Sequence, residues 1–109
     1  MVESKVYFQP RDYVLGAIND IKELQNGRGT PSDIDNGKIN FMVRLYRAKW
    51  EFRFTVTDIG KNRCNVEIEI NGDVQNMEEK ILREYALLDS MLAEIANVEF
   101  VEKEGTGSV

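Results

Sequence analysis

Three consecutive segments between Lys38 and Asn71 alternate strictly between apolar and polar residues, and this run constrains the fold more than any other part of the chain. In the first, Ile39, Phe41, Val43 and Leu45 share one face, with Asn40, Met42, Arg44 and Tyr46 on the other. The second alternates Trp50, Phe52, Phe54 and Val56 with Glu51, Arg53, Thr55 and Thr57; the third alternates Cys64, Val66, Ile68 and Ile70 with Asn65, Glu67, Glu69 and Asn71. Successive strand side chains point to opposite faces, so each segment is predicted to be a half-buried strand, and the short breaks make the three an antiparallel meander. Turns at Arg47-Ala48 and around Ile59-Gly60-Lys61 would set Leu45 opposite Trp50, Phe41 opposite Phe54, Val56 opposite Cys64 and Phe52 opposite Ile68, all apolar partners. The same register pairs Arg44 with Glu51 and Arg53 with Glu67 on the polar face, and leaves Glu51 facing Glu69.

The flanking sequence supplies helices to cover the apolar face. Residues 5–9 alternate Val6 and Phe8 against Tyr7, a short strand ended by Pro10, which suits a first helical turn with Asp12 at its amino end. From Tyr13 to Leu24 the residues Tyr13, Val14, Ala17, Ile18, Ile21 and Leu24 gather at helical spacing, with Leu15 on the polar side. A glycine-rich, acidic linker follows, residues 26–37. Within it Asn26-Gly27-Arg28-Gly29 is a helix stop rather than a phosphate loop, and Thr30-Pro31 leads into one helical turn to Asp35. The run Asp33, Asp35, Asn36, Gly37 lacks the distal glutamate of a calcium loop. After the meander, Asn76 with Glu79 forms a capping-box signature for a long helix from Met77 to about Ala96, whose arc of Met77, Ile81, Tyr85, Leu88, Leu92 and Ile95 faces the sheet. Residues 98–101 either continue it or form a strand. The predicted fold is therefore α+β, an antiparallel four-stranded sheet in the order β-α-β-β-β-α with the long final helix on one face. If the first strand pairs beside the third meander strand, it and the first meander strand are the edges, and Met42 and Tyr46 on the outer face offer a surface for a homodimer or protein partner.

A chain of 109 residues has room for one modest core, so residues 1–101 are expected to form a single domain and the charged, then glycine-rich residues 102–109 a disordered tail. The net charge of −5, with basic residues scattered, argues against nucleic acid or an anionic membrane as partner. No apolar run approaches the roughly 18 residues of a membrane span. The single cysteine rules out an internal disulfide, and with no basic-then-apolar leader the expected setting is cytoplasmic. Histidine is absent, which removes the commonest general base and metal ligand. No catalytic residue, metal site or cofactor is assigned.

The stretch from Val6 to Phe8 into Pro10-Arg11-Asp12-Tyr13-Val14, then Ala17-Ile18-Asn19-Asp20, resembles the opening of the START-like and Bet v 1-like (SRPBCC) helix-grip proteins, and the final helix with Leu87, Leu88 and Leu92 is similar to their gripping helix. The family's sheet has six or seven strands, so this chain would be a short, truncated member. The resemblance implies a domain holding a small apolar ligand between sheet and final helix; with no catalytic motif in the chain it is expected to be non-enzymatic, and an enzymatic reading such as cyclase or hydrolase rests on analogy alone and ranks last. The walls of the ligand site would be Phe41, Trp50, Phe52, Phe54, Tyr85 and Met91, with Glu84 as orienting group. The alternative is a protein-interaction or regulatory module acting through its sheet edge or face without a cavity.

Each candidate also has a plainer reading. The aromatics are the ordinary filling of a core, Met91 a gap-filler and Cys64 a buried inert thiol. Glu84 falls on the buried arc between Met77 and Met91, where a carboxylate ordinarily reaches out to solvent or to a cation such as Lys80. Arg44 and Arg53 belong to the charge ladder of the exposed sheet face, an anion site there being the alternative.

Overall fold

The structure is a computed structural model. It describes residues 1–29 and 32–107, with side chains described through Ala93. The chain runs β1 (Val2–Tyr7), α1 (Arg11–Leu24), β2 (Arg28–Gly29), a 3-10 turn (Ile34–Asn36), β3 (Lys38–Leu45), β4 (Ala48–Gly60), β5 (Arg63–Gly72) and α2 (Met77–Gly107). The strands form one antiparallel sheet in the order β1-β5-β4-β3-β2. The meander is as the sequence predicts; β1 lies beside β5, the placement the sequence leaves conditional, and spans Val2–Tyr7 rather than residues 5–9. The fifth strand is not predicted: β2 pairs Arg28 with Met42 and Gly29 with Phe41, so β3 is flanked rather than being an edge. Two residues carry no periodicity, which is why β2 has no sequence signature.

Both helices cover the same face. Val14, Leu15, Ala17, Ile18 and Ile21 of α1 and Ile81, Tyr85, Leu88 and Leu92 of α2 are buried with the inward residues of β3, β4 and β5 in one core. Leu15 is buried where the helical wheel puts it on the polar side, whereas Tyr13 and Leu24 are exposed, because α2 lies along α1 and extends the covered arc. At its centre Phe41 stacks on Phe54 with ring centroids 5.6 Å apart and meets Phe52 at a tilt, 5.7 Å away. Residues 98–101 continue α2 in place of a strand. The expectation of a disordered tail concerns residues 102–109, whose side chains lie outside the described residues.

The register differs from the predicted one by two residues in both hairpins. Val43 faces Trp50, Phe41 faces Phe52, Phe54 faces Ile68 and Phe52 faces Ile70. Alternation has period two, so a shift of two keeps every apolar side chain on its face and hydrophobic matching does not detect it. The turns decide. The first is a tight connection through Tyr46 and Arg47 with Tyr46 at φ 55°; the second passes through Lys61 and Asn62 with Asn62 at φ 53°, after a bulge that sets Ile59 out of the ladder. The expected pairs Arg44–Glu51 and Arg53–Glu67, and the clash of Glu51 with Glu69, are thereby replaced. Arg44 faces Lys49, Arg53 faces Glu69, and Arg53 bonds Glu51 along its own strand at 2.6 Å.

Beyond Leu24 and its C-cap Gln25, helix α1 is stopped by Asn26, which takes φ 53°; the Gly27 N–H donates to the Lys22 carbonyl at 2.8 Å and that of Asn26 to Glu23 at 3.1 Å, a Schellman stop. Thr30 and Pro31 lie outside the described residues. In the acidic linker the Asp33 carboxylate accepts from the Asn36 side chain at 2.6 Å and caps the 3-10 turn, and Arg11 bonds the Asp35 carbonyl at 2.6 Å, which ties the linker to α1. Gly37 then takes φ 74° where an added Cβ would stand 2.3 Å from the Val56 carbonyl oxygen. Gly37→Ala is therefore expected to lower stability by about 1–3 kcal/mol, read from the urea midpoint. A midpoint equal to the parent's would show that the turn does not hold this conformation.

Candidate functional site

The Schellman stop of α1 brings Gln25 against the first turns of α2. There the Gln25 amide donates to the Glu84 carboxylate at 2.6 Å, and Glu84 is only 1% exposed. The expectation that Glu84 would reach solvent or Lys80 is thus corrected: α1 packs over this turn of α2 and supplies a neutral partner instead. Burial pushes the carboxyl up to about 7, against the smaller opposing effects of the Gln25 hydrogen bond and the Arg83 charge. Glu84 is the one charged residue buried in the described core.

Beside it is a cleft of about 250 Å³ between the β3–β4 hairpin and α2, walled by Val43, Leu45, Trp50 and Phe52 on the sheet and by Lys80, Arg83 and Glu84 on the helix, with Gln25 and Arg44 at the junction. Trp50 is 93% buried by its 7% exposure, and its indole N–H has no acceptor among the described residues. The Lys80 ammonium stands 5.0 Å from the centre of the Trp50 ring and donates to the Gln75 carbonyl at 3.1 Å. A groove of about 420 Å³ beside β3 and the end of α1 shares Gln25, Val43 and Arg44 with the cleft and adds Asn26, Arg28, Met42 and Lys49.

Of the residues that the sequence singles out, the structure brings Trp50, Phe52 and Glu84 together in this cleft. Phe41 and Phe54 lie wholly inside the core, and Met91 packs against its border. Tyr85 stands elsewhere. Its hydroxyl lies 2.7 Å from the Glu3 carbonyl and 2.9 Å from that of Val66, which clamps β1 and β5 to α2. Next to it the Tyr7 hydroxyl donates to Asp89 at 2.7 Å, and Lys5 pairs with the other oxygen of Asp89 at 2.8 Å. Burial raises both phenols above their ordinary range, with Asp89 adding to the effect on Tyr7 and Glu3 to that on Tyr85, so they stay protonated as structural donors. Burial likewise raises the Cys64 thiol. A larger hollow of about 540 Å³ near Pro10, Asp12, Asp58 and Asn62 lies on the polar surface, where Arg11 is already engaged by the 3-10 turn.

Sequence reasoning missed Gln25, Val43, Lys49 and Arg83. Gln25 follows the last turn of α1 and has no pattern of its own, and Lys49, paired with Arg44 on the outer face of the sheet, lines only the adjoining groove. Arg44 was assigned to an ion pair that this shift removes.

No protein-family model matches the chain, and no curated protein matches it. Among solved structures it is similar to the di-domain aromatase/cyclase StfQ from the steffimycin biosynthetic pathway, with 13% identity and a TM-score of 0.45 over 84% of this chain and 42% of that one. The chain thus spans less than half the length of that protein. One expectation is corrected: that solved structure is of an enzyme, so the restriction to a non-enzymatic role, drawn from the lack of a catalytic motif, is withdrawn. Among the described residues no helix is long and apolar enough to cross a membrane.

Proposed function

We propose that this chain is a short helix-grip domain that binds a small, largely apolar molecule in the cleft between the β3–β4 hairpin, the end of α1 and the start of α2. The observation that carries this reading is Glu84. A carboxyl group at 1% exposure, held by one neutral amide and raised to about 7, costs stability that a core leucine at the same place would not. Strongly perturbed groups beside a cleft concentrate at functional sites. The buried indole N–H of Trp50 in the same wall is a donor awaiting an acceptor. At about 250 Å³ the cleft suits a molecule of roughly one or two rings. The walls are Val43, Trp50 and Phe52; Phe41 and Phe54 back them from the core. The proposal is one of binding and carries no restriction to non-enzymatic roles.

Trp50 is the only tryptophan, so its fluorescence and its indole N–H resonance report on the cleft directly. Protein purified without detergent is expected to carry a small added mass in native mass spectrometry, and removal of that mass should shift the indole resonance. A bare monomer whose indole resonance responds to no one- or two-ring compound would sink this reading.

A second reading rests on β1, which ends the sheet and exposes Val2 and Val6, with Phe8 just beyond it. An edge of this kind supports pairing with a second copy or a protein partner. A dimer in the same spectrum that Val6→Lys dissolves would favour it.

A further inference from the structure

Strand β1 ends the sheet, and its backbone fixes what can be added there. The Ile70 N–H donates to the Met1 carbonyl at 3.1 Å, so bonding between β1 and β5 is made at Met1. Antiparallel bonding alternates along a strand, and Glu3, Lys5 and Tyr7 therefore also turn their backbone groups toward β5. The Tyr85 hydroxyl agrees with this, since it reaches the Glu3 and Val66 carbonyls in the gap between the two strands. The N–H and C=O groups of Val2, Ser4 and Val6 are left facing outward along the open edge. Charged residues on an edge strand ordinarily repel a second strand. Here they stand in the run Val2-Glu3-Ser4-Lys5-Val6, which is symmetric about Ser4 in everything but the sign of the charge. Among the described residues the Glu3 carboxylate enters no ion pair, and Lys5 meets Asp89 at the surface, where both side chains are 46% exposed.

We propose that β1 pairs antiparallel with β1 of a second copy about a two-fold axis through Ser4, joining the two sheets into one. The inference rests on the second reading above, that β1 is a pairing edge, and names its occupant and its register. In this register each Ser4 exchanges backbone bonds with its counterpart. Val2 lies opposite the partner's Val6 on the outer face, and Glu3 lies opposite the partner's Lys5 on the helix-covered face. Every outward backbone group from Val2 to Val6 is thereby satisfied. Only alternate residues carry such groups, so the neighbouring registers lie two residues away, and they bring Glu3 against the partner's Glu3 or Lys5 against the partner's Lys5. The two charges thus exclude the wrong registers and favour one. Val2 and Val6, 49% and 44% exposed in the single chain, cover one another across the junction. On the other face Leu82, 55% exposed, stands two turns of α2 before Asp89, the residue that reaches Lys5, and so flanks the same edge; a copy laid along β1 covers it.

Sedimentation velocity on the whole chain, from micromolar to sub-millimolar concentration in low salt, tests this. The parent is expected to form a dimer, and Glu3→Lys, which sets like charges opposite each other twice, is expected to weaken it at least about ten-fold. Lys5→Glu is expected to do the same alone. An equimolar mixture of the two variants is expected to regain the parent's dimer, because each cross-strand pair then again unites opposite charges. Ser4→Cys is expected to link the dimer by a disulfide under mild oxidation, with Glu3→Cys and Lys5→Cys staying unlinked; Cys64 is buried and takes no part. The cross-link decides the register even where Lys5→Glu loses stability with its Asp89 bridge. A parent that stays monomeric overturns the inference and leaves the edge open to a different protein. A dimer that Glu3→Lys leaves intact, or one that links through Glu3→Cys or Lys5→Cys in place of Ser4→Cys, overturns the register while the pairing edge stands. A dimer that Val6→Lys also leaves intact forms elsewhere on the molecule, and then the inference and the reading it rests on both fall.

Discussion

Glu84→Gln is expected to make the protein more stable at pH 8, by about 2 kcal/mol, and to leave it nearly unchanged at pH 4.5. The sign follows from linkage. Burial raises the carboxyl from 4.5 to about 7 in the folded state. Between those values the native protein holds a proton that the unfolded chain has released, so the wild-type stability contributed by this group is greatest below about pH 4.5, falls as pH rises toward 7 and levels off above. A shift of this size corresponds to about 3 kcal/mol, of which solvent entry and local relaxation recover part. The glutamine side chain keeps an acceptor for the Gln25 amide, bonded at 2.6 Å in the parent, and discards only the charge. Urea midpoints of both proteins at pH 4.5 and pH 8 isolate the group, because every other carboxylate is common to the two. A variant that is no more stable than the parent at pH 8 would mean that Glu84 is not buried as described. A stabilised variant that binds more weakly would show what the carboxylate is retained for.

Phe54→Ala is expected to lose about 3–5 kcal/mol, a large part of the roughly 5–15 kcal/mol available to a domain of this size. Phe54 is wholly buried, stacks on Phe41 at 5.6 Å and meets Phe52 edge-on at 6.2 Å; the cross-strand pairs from Ile39 through Phe54 to Ile68 run through its position. Truncation therefore opens a cavity bounded by rigid strands, which collapse poorly around it. The exposed aromatic Tyr46, 92% accessible, serves as the contrast, and Tyr46→Asn is expected to shift stability by no more than about 0.5 kcal/mol, with asparagine favoured at the positive φ of that turn. A loss below about 1 kcal/mol for Phe54→Ala would contradict a core centred on the phenylalanines. These two substitutions separate the roles of the apolar face: Phe54 holds the sheet to the helices, whereas Glu84 sits where the same face gives way to a cleft.

Much of this architecture was legible from side-chain parity. Ile39, Phe41, Phe52, Phe54, Val66 and Ile68 all lie on the face that alternation assigns to them, and the docking of β1 beside β5 turns Tyr7 inward and leaves Val6 and Phe8 outward. The helical arc of Ile81, Tyr85, Leu88 and Leu92 is buried as its spacing requires. Glu84 stands out in the same arc, and the sequence marks it as anomalous without showing whether it is buried, since a neighbouring turn can swing a long carboxylate out to water unless another element covers it. Gln25, at the end of a different helix 59 positions away in the chain, is what covers it.

From the sequence alone follow the α+β class, the meander, the inward faces and the oddity of Glu84, because strand and helix periodicities are local and each residue's type shows the side it must take. Tertiary structure alone decided the two-residue register, the pairing of Arg44 with Lys49, the strand formed by Arg28 and Gly29, and the meeting of Gln25, Trp50 and Glu84. Register is invisible to a pattern of period two and is set by turn geometry. The site depends on where α1 stops against α2, a contact between segments that carry no mark of one another in the sequence.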